Sequence, residues 1–143
     1  KKLLSPAPAI HPSQSVTRLP PPEPRNYTLK ELIEFDGRDE EKPLLMAIDG
    51  NVFDVSNGRA FYGPGGPYQI FAGHDASRAL AKASTDPVDV KPLVDGPDPL
   101  DSLTDEEMTS LREWERSLSY KYPRVGRLVP GDGLPDEEPS GES

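Results

Sequence analysis

The sequence predicts an α+β fold, a small sheet with short helices around a ligand pocket. Three observations carry that reading. Two short apolar runs, Leu44 to Ile48 and Val52 to Val55, flank Asp49-Gly50, the pattern of two strands joined by a two-residue hairpin turn. Two T-x-x-E signatures, Thr28 with Glu31 and Thr104 with Glu107, mark helix starts. Between them lies a Gly/Pro block, GPGGP from Gly63 to Pro67, with a tyrosine on either side.

Taken in order, the chain opens on a Pro-rich segment, residues 1–26, in which Pro20, Pro21, Pro22 and Pro24 favour extended polyproline conformation over a core. It is expected to be a disordered linker. It starts at Lys1-Lys2 without Met and reads as part of a longer chain. The first capping box precedes a short helix, KELIEF, that stops near Asp36-Gly37. The hairpin follows, then the Gly/Pro block, then short helices around Tyr68 to Ala72 and Asp75 to Lys82. Val88 to Asp101, broken by Pro92, Pro97 and Pro99, reads as loop. The second capping box, with Leu103 and Met108 as hydrophobic staple, starts a helix carrying Met108, Leu111, Trp114 and Leu118 on one stripe. Tyr120 to Val129 is expected to be extended. Residues 130–143, acidic and rich in Gly and Pro, read as a disordered tail. The folded domain is therefore placed at 27–129.

Composition narrows the function classes. At 143 residues with 18 prolines there is room for one core plus tails. No cysteine is present, which excludes disulfides, zinc-thiolate sites and thiolate-ligated heme. A net charge of −9 argues against nucleic-acid binding, which needs phosphate neutralisation, and suits docking to a basic protein face. No apolar run approaches the roughly 20 residues of a membrane helix. No nucleophile–base pair or phosphate loop is visible, and GPGG lacks the strand–helix context of a nucleotide fingerprint. The expectation is a protein that is not an enzyme.

The informative stretch is Gly58 to Leu80. Gly63, Gly65 and Gly66 let a flat or bulky group approach the backbone, while Pro64 and Pro67 stiffen the loop. Rigid, bare of side chains and flanked by Tyr62 and Tyr68, it would make a wall for a planar ligand. By spacing alone it is equally a tight turn whose tyrosines pack.

The order of YTLKEL, LLMAIDGNVFDVS, F-Y-G-P-x-G-P-Y, F-A-G-x-D-A-S-R and the late W-E…Y-K-Y segment resembles the cytochrome b5-like heme/steroid-binding domain. The likeness is to its membrane-associated progesterone receptor branch, which includes the yeast-type damage-response proteins, and covers about Tyr27 to Leu128. In ordinary cytochrome b5 the loop reads HPGG and its histidine binds iron; here it reads GPGG, so a bis-histidine electron carrier is not implied. The resemblance implies heme b with Tyr68 as axial iron ligand. Lys121 would support the ligand side of the pocket, and Tyr62 and Tyr122 would hydrogen-bond around the heme edge and propionates.

Elimination among the other candidates agrees with that assignment. Met46 and Met108 fall on core faces, His11 lies in the Pro-rich segment, and His74 has no ligand counterpart in the family. Asp75 and Arg78 read as helix anchors by ion pairing. A phenolate ligand favours ferric iron and a low potential. The implied function is a non-enzymatic regulator that stabilises heme-thiolate monooxygenases of sterol biosynthesis, or supplies them with heme. It would face the cytosol from the endoplasmic reticulum or another endomembrane, held by an N-terminal anchor. Two alternatives stand beside it: a b5-like electron-transfer protein, and a module binding steroid or another small apolar ligand. An apo monomer and a weak heme-dependent homodimer are expected.

Overall fold

The computed structural model describes residues 25–131, 133 and 134. The Pro-rich segment before Arg25 with His11, and the acidic residues 132 and 135–143, lie outside the described residues. The domain is built on a four-stranded sheet of order β1-β4-β3-β2, from β1 (Arg25–Tyr27), β2 (Leu45–Ile48), β3 (Asn51–Asp54) and β4 (Arg124–Leu128). The last strand lies in the interior, antiparallel to β3 and parallel to β1.

The hairpin forms as the sequence predicts. Ile48 pairs with Asn51 across Asp49 and Gly50, both at positive φ (52° and 80°), the backbone whose twist suits a two-residue connection. Alternation then divides the hairpin between two cores. Leu44, Met46, Ile48 and Phe53 face a larger cluster with Trp114, Leu118 and Phe71, and Leu45, Ala47 and Val52 face a smaller one with Tyr27, Leu32 and Leu128. The edge of β2 is covered: Ala47 donates to the His74 carbonyl (3.0 Å) and accepts from Ala76 (2.8 Å), so the segment after the Gly/Pro block is tied to the sheet.

Both capping boxes are present. Thr28 and Glu31 close the start of α1 (Leu29–Leu32), which tightens into a 3-10 turn at Ile33–Phe35. Thr104 and Glu107 do the same for α4 (Asp105–Lys121), with Leu103 and Met108 packed on the larger core. Of the predicted stripe, Leu111, Trp114 and Leu118 are buried. Met46 is buried in β2, so both methionines pack.

Four expectations are corrected. Tyr120 and Lys121 belong to the last turn of α4, and the extended segment is only Arg124–Leu128; the helix runs on until Pro123, which disfavours helical conformation at Tyr122. The segment from Val88 is not all loop, because Pro87–Val90 forms a 3-10 turn with Asp86 capping the Val88 amide. The helix expected over Asp75 to Lys82 is the shorter α3 (Ser77–Ala81). Finally, β1 starts at Arg25, two residues inside the segment read as linker. Among the described residues no helix is long and apolar enough to cross a membrane.

Candidate functional site

The Gly/Pro block folds back on the helix before it. α2 (Arg59–Tyr62) follows a 3-10 turn at Ser56–Gly58 and ends where the Gly63 amide donates to the Arg59 carbonyl (2.8 Å). The chain then reverses until the Tyr68 amide donates to the Phe61 carbonyl (2.9 Å). A Cβ at Gly66 would lie 2.5 Å from that carbonyl oxygen, closer than any side chain tolerates. Glycine is thus required for the return, and the return sets Tyr68 beside Tyr62.

Three of the four predicted site residues come together here. Tyr62 lies 6.0 Å from Tyr68 and 6.2 Å from Tyr122, between ring centroids. Tyr68 also stacks on Phe71, at 5.8 Å with the planes 14° apart. The environments differ. Tyr62 is wholly buried and Tyr122 nearly so, whereas Tyr68 is half-buried. Lys121, half-buried in the last turn of α4, precedes Tyr122 in the chain and so reaches the same end of the domain.

The hydroxyls carry the information. Neither Tyr62 Oη nor Tyr122 Oη has a hydrogen-bond partner within the protein, although both are buried. A buried phenol without a partner costs about 1–3 kcal/mol, so two side by side need a reason. Burial drives the Tyr62 hydroxyl far above the ordinary phenol range, helped by the neighbouring phenols, and pushes Tyr122 up to about 12. Both are therefore neutral and able to donate. Tyr27 has a third unpartnered buried hydroxyl, but on the other face of the sheet, under the Arg25 guanidinium 4.1 Å from its ring centre.

Gly58 is a site residue that the sequence did not point out. A Cβ there would run into the Tyr122 hydroxyl and lie 3.2 Å from the Tyr62 ring, so its absence makes room for both phenols. The readable signal was a glycine four residues before Tyr62. Phe61 and Phe71 complete the aromatic wall.

The remaining candidates stand elsewhere. His74 Nδ1 donates to the Ala72 carbonyl (3.0 Å), and burial lowers the imidazole pKa while Asp36 opposes the shift. The ring is neutral and shares its surroundings with Asp36 and Arg38. Arg78 anchors α3, but its partner is Asp98, held by two bonds of 2.9 and 2.8 Å. Asp75 accepts instead from Ser77 (amide 3.0 Å, hydroxyl 2.6 Å) and from the Asp98 amide (2.9 Å). Among the described residues no group of three or more His, Cys, Asp or Glu could hold a metal ion.

The arrangement combines aromatic faces with phenol hydroxyls. It offers two buried neutral donors without protein partners, an aromatic wall, and a third, half-buried phenol.

Comparison with known proteins shows the family. Residues 28–129 match the family described as Cytochrome b5-like Heme/Steroid binding domain. "Membrane steroid-binding protein 2" of Oryza sativa subsp. japonica is 52% identical over 101 residues, 71% of this chain and 36% of the relative. "Probable steroid-binding protein 3" of Arabidopsis thaliana is 48% identical, over 72% of this chain and 97% of the relative. "Membrane-associated progesterone receptor component 2" of Homo sapiens is 46% identical, over 87% of this chain. The chain spans about half the length of that human relative, 52%. A solved structure of an Arabidopsis thaliana protein, described as having a cytochrome b5-like fold, superposes with a TM-score of 0.64 at 46% identity. It covers 73% of this chain and 90% of that one.

Proposed function

The chain belongs to the cytochrome b5-like heme/steroid-binding domain family, in its membrane-associated progesterone receptor branch, and from that premise we propose that it is a non-enzymatic heme-binding module with a tyrosinate-ligated ferric iron. The observation that carries the proposal is the pair of buried, unpartnered hydroxyls of Tyr62 and Tyr122 beside the half-buried Tyr68.

Each residue has a distinct task. Tyr68, half-buried, would supply the oxygen that holds the iron. Tyr62 and Tyr122, both neutral, would donate hydrogen bonds to the bound group, offsetting the cost their unpartnered hydroxyls carry. Lys121, in the last turn of α4, would support the ligand side of the pocket. Bound heme b would supply a redox-active, low-potential ferric centre. The domain at 27–129 would then stabilise heme-thiolate monooxygenases of sterol biosynthesis, or supply them with heme, from an endomembrane such as the endoplasmic reticulum, facing the cytosol. A b5-like electron carrier is disfavoured by GPGG in place of HPGG.

Titration of the purified protein with hemin tests the reading. The expected result is a phenolate charge-transfer band that Tyr68→Phe abolishes with little change in melting temperature, and that His74→Ala leaves intact. An unchanged band in Tyr68→Phe refutes the ligand assignment. A second reading, steroid binding, is favoured by the names of the relatives and by the same two donors, which would equally meet a steroid oxygen. Competition between progesterone and hemin for the Tyr62 site separates the two.

A further inference from the structure

The strap from Asp86 to Asp101 takes no part in the aromatic site, yet it is firmly tied down. Its Pro87–Val90 turn packs against α3 and against the turn Gln69–Phe71 that follows Tyr68, with Val90 driven into the core. Farther along, Asp98 receives the Arg78 guanidinium in two bonds, in a pair only 13% and 11% exposed, and its amide donates to Asp75. The Arg78 guanidinium also reaches Ser102 (2.8 Å). Asp95 accepts from the amides of Gly131 and Gly133 (3.1 and 3.2 Å), tethering Leu134 close by.

What this strap presents to solvent is unusual. Among the described residues, the large exposed apolar side chains are Val88 (60%), Leu93 (59%), Val94 (41%) and the tethered Leu134 (45%), with Tyr120 on α4. Four of these five sit on the strap or on the segment it pins. The same strap carries five aspartates against one lysine, and only Asp98 of the five is engaged in the pair with Arg78. A segment that fixes its backbone by buried bonds, turns Val90 and Leu100 toward the core, and holds Val88, Leu93 and Val94 outward has already lost the conformational freedom that docking costs. Exposed apolar groups carried on one fixed segment beside acidic side chains mark an interaction site.

We propose that the Asp86–Asp101 strap is the docking surface for a protein partner whose face has an apolar centre and a cationic rim. Charge chooses the occupant. A second copy of this chain would set acid against acid, and an anionic bilayer would be repelled, whereas Lys and Arg around an apolar patch are complementary. The strap borders the turn beside Tyr68, so a docked partner sits at the edge of the aromatic site. Placing the monooxygenase there rests on the function proposed above.

The test uses the hemin-loaded chain and a purified heme-thiolate monooxygenase of sterol synthesis, with binding followed by biolayer interferometry at two salt concentrations. V88S/L93S/V94S, exposed positions that leave the melting temperature and the hemin spectrum unchanged, should weaken binding at least tenfold. Asp89→Asn with Asp101→Asn should slow association and flatten its salt dependence. Undiminished binding by the triple variant overturns the strap proposal alone. Failure of the wild-type chain to bind overturns the monooxygenase reading and this placement with it. Co-sedimentation with phosphatidylcholine vesicles that the triple variant abolishes, without monooxygenase binding, assigns the patch to lipid and refutes a protein partner.

Discussion

Tyr62→Phe should move apo stability and heme affinity in opposite directions. The ring is retained, and with it the packing against Tyr68, Tyr122 and Phe61. Only the hydroxyl is removed, and it has no partner in the protein while being fully buried. Deleting an unsatisfied buried donor recovers its desolvation penalty, about 1–3 kcal/mol. For a domain near 100 residues each kcal/mol is worth at least about 4 °C in melting temperature. The apo variant is therefore expected to melt higher than wild type. Heme binding should behave oppositely, because the donor that would meet the heme edge is gone. One hydrogen bond of about 0.5–1.5 kcal/mol corresponds to a weakening of roughly twofold to tenfold. Differential scanning calorimetry of the apo proteins, paired with hemin titration in the same buffer, measures both. A variant that melts lower in the apo state shows that the hydroxyl had a structural partner. One that binds hemin as tightly as wild type removes Tyr62 from the site. Either result breaks the argument from unpartnered hydroxyls.

Gly58→Ala drives a methyl group into the Tyr122 hydroxyl and should cost about 1–3 kcal/mol by overpacking, with hemin affinity falling; urea unfolding and hemin titration follow the two. His74 carries a pKa held below its ordinary value by burial, so the unfolded chain binds the proton more readily and stability is lost as pH falls through the range below about 6.5. His74→Asn keeps a donor for the Ala72 carbonyl, cannot titrate, and should flatten the decline in melting temperature between pH 7 and 5 without altering the hemin spectrum. Arg78→Gln leaves Asp98 buried without its cation and should destabilise by about 3 kcal/mol, with faster amide exchange at Asp98 and Leu100 as the local signature in hydrogen–deuterium exchange.

Local signals in the sequence were read with most success where physics is local. The two capping boxes, the Asp49-Gly50 turn and the Leu111–Trp114–Leu118 stripe each depend on residues within a few positions of one another. β1 was missed for the opposite reason. Arg25-Asn26-Tyr27 has no alternating apolar pattern, and it is a strand only because β4, a hundred residues later, offers it backbone partners. The Pro87–Val90 turn did carry a signal that went unused, an aspartate cap followed by proline at the first helical position. At the site, spacing alone could not distinguish a ligand wall from a packed turn. That Tyr62 and Tyr122 share an enclosure with their hydroxyls unmet is a property of the assembled fold, since sixty residues separate them and α4 must dock before they meet.

The pairing of β1 with β4 has a mechanical consequence. The two strands run parallel, Arg25 opposite Gly126 and Tyr27 opposite Leu128, and the contact is prolonged by the Val129 amide on the Tyr27 carbonyl (2.8 Å). Gly126 lets them approach, since a Cβ there would collide with the Arg25 carbonyl. A chain held before Arg25 and pulled from beyond Leu128 loads these neighbouring strands from opposite ends. Their backbone bonds are then stretched in shear and must yield together, instead of opening one after another as in a hairpin peeled from its tip. The domain should resist tension applied between its two ends far better than its three-residue edge strand suggests, and any side chain introduced at Gly126 would loosen that clasp first.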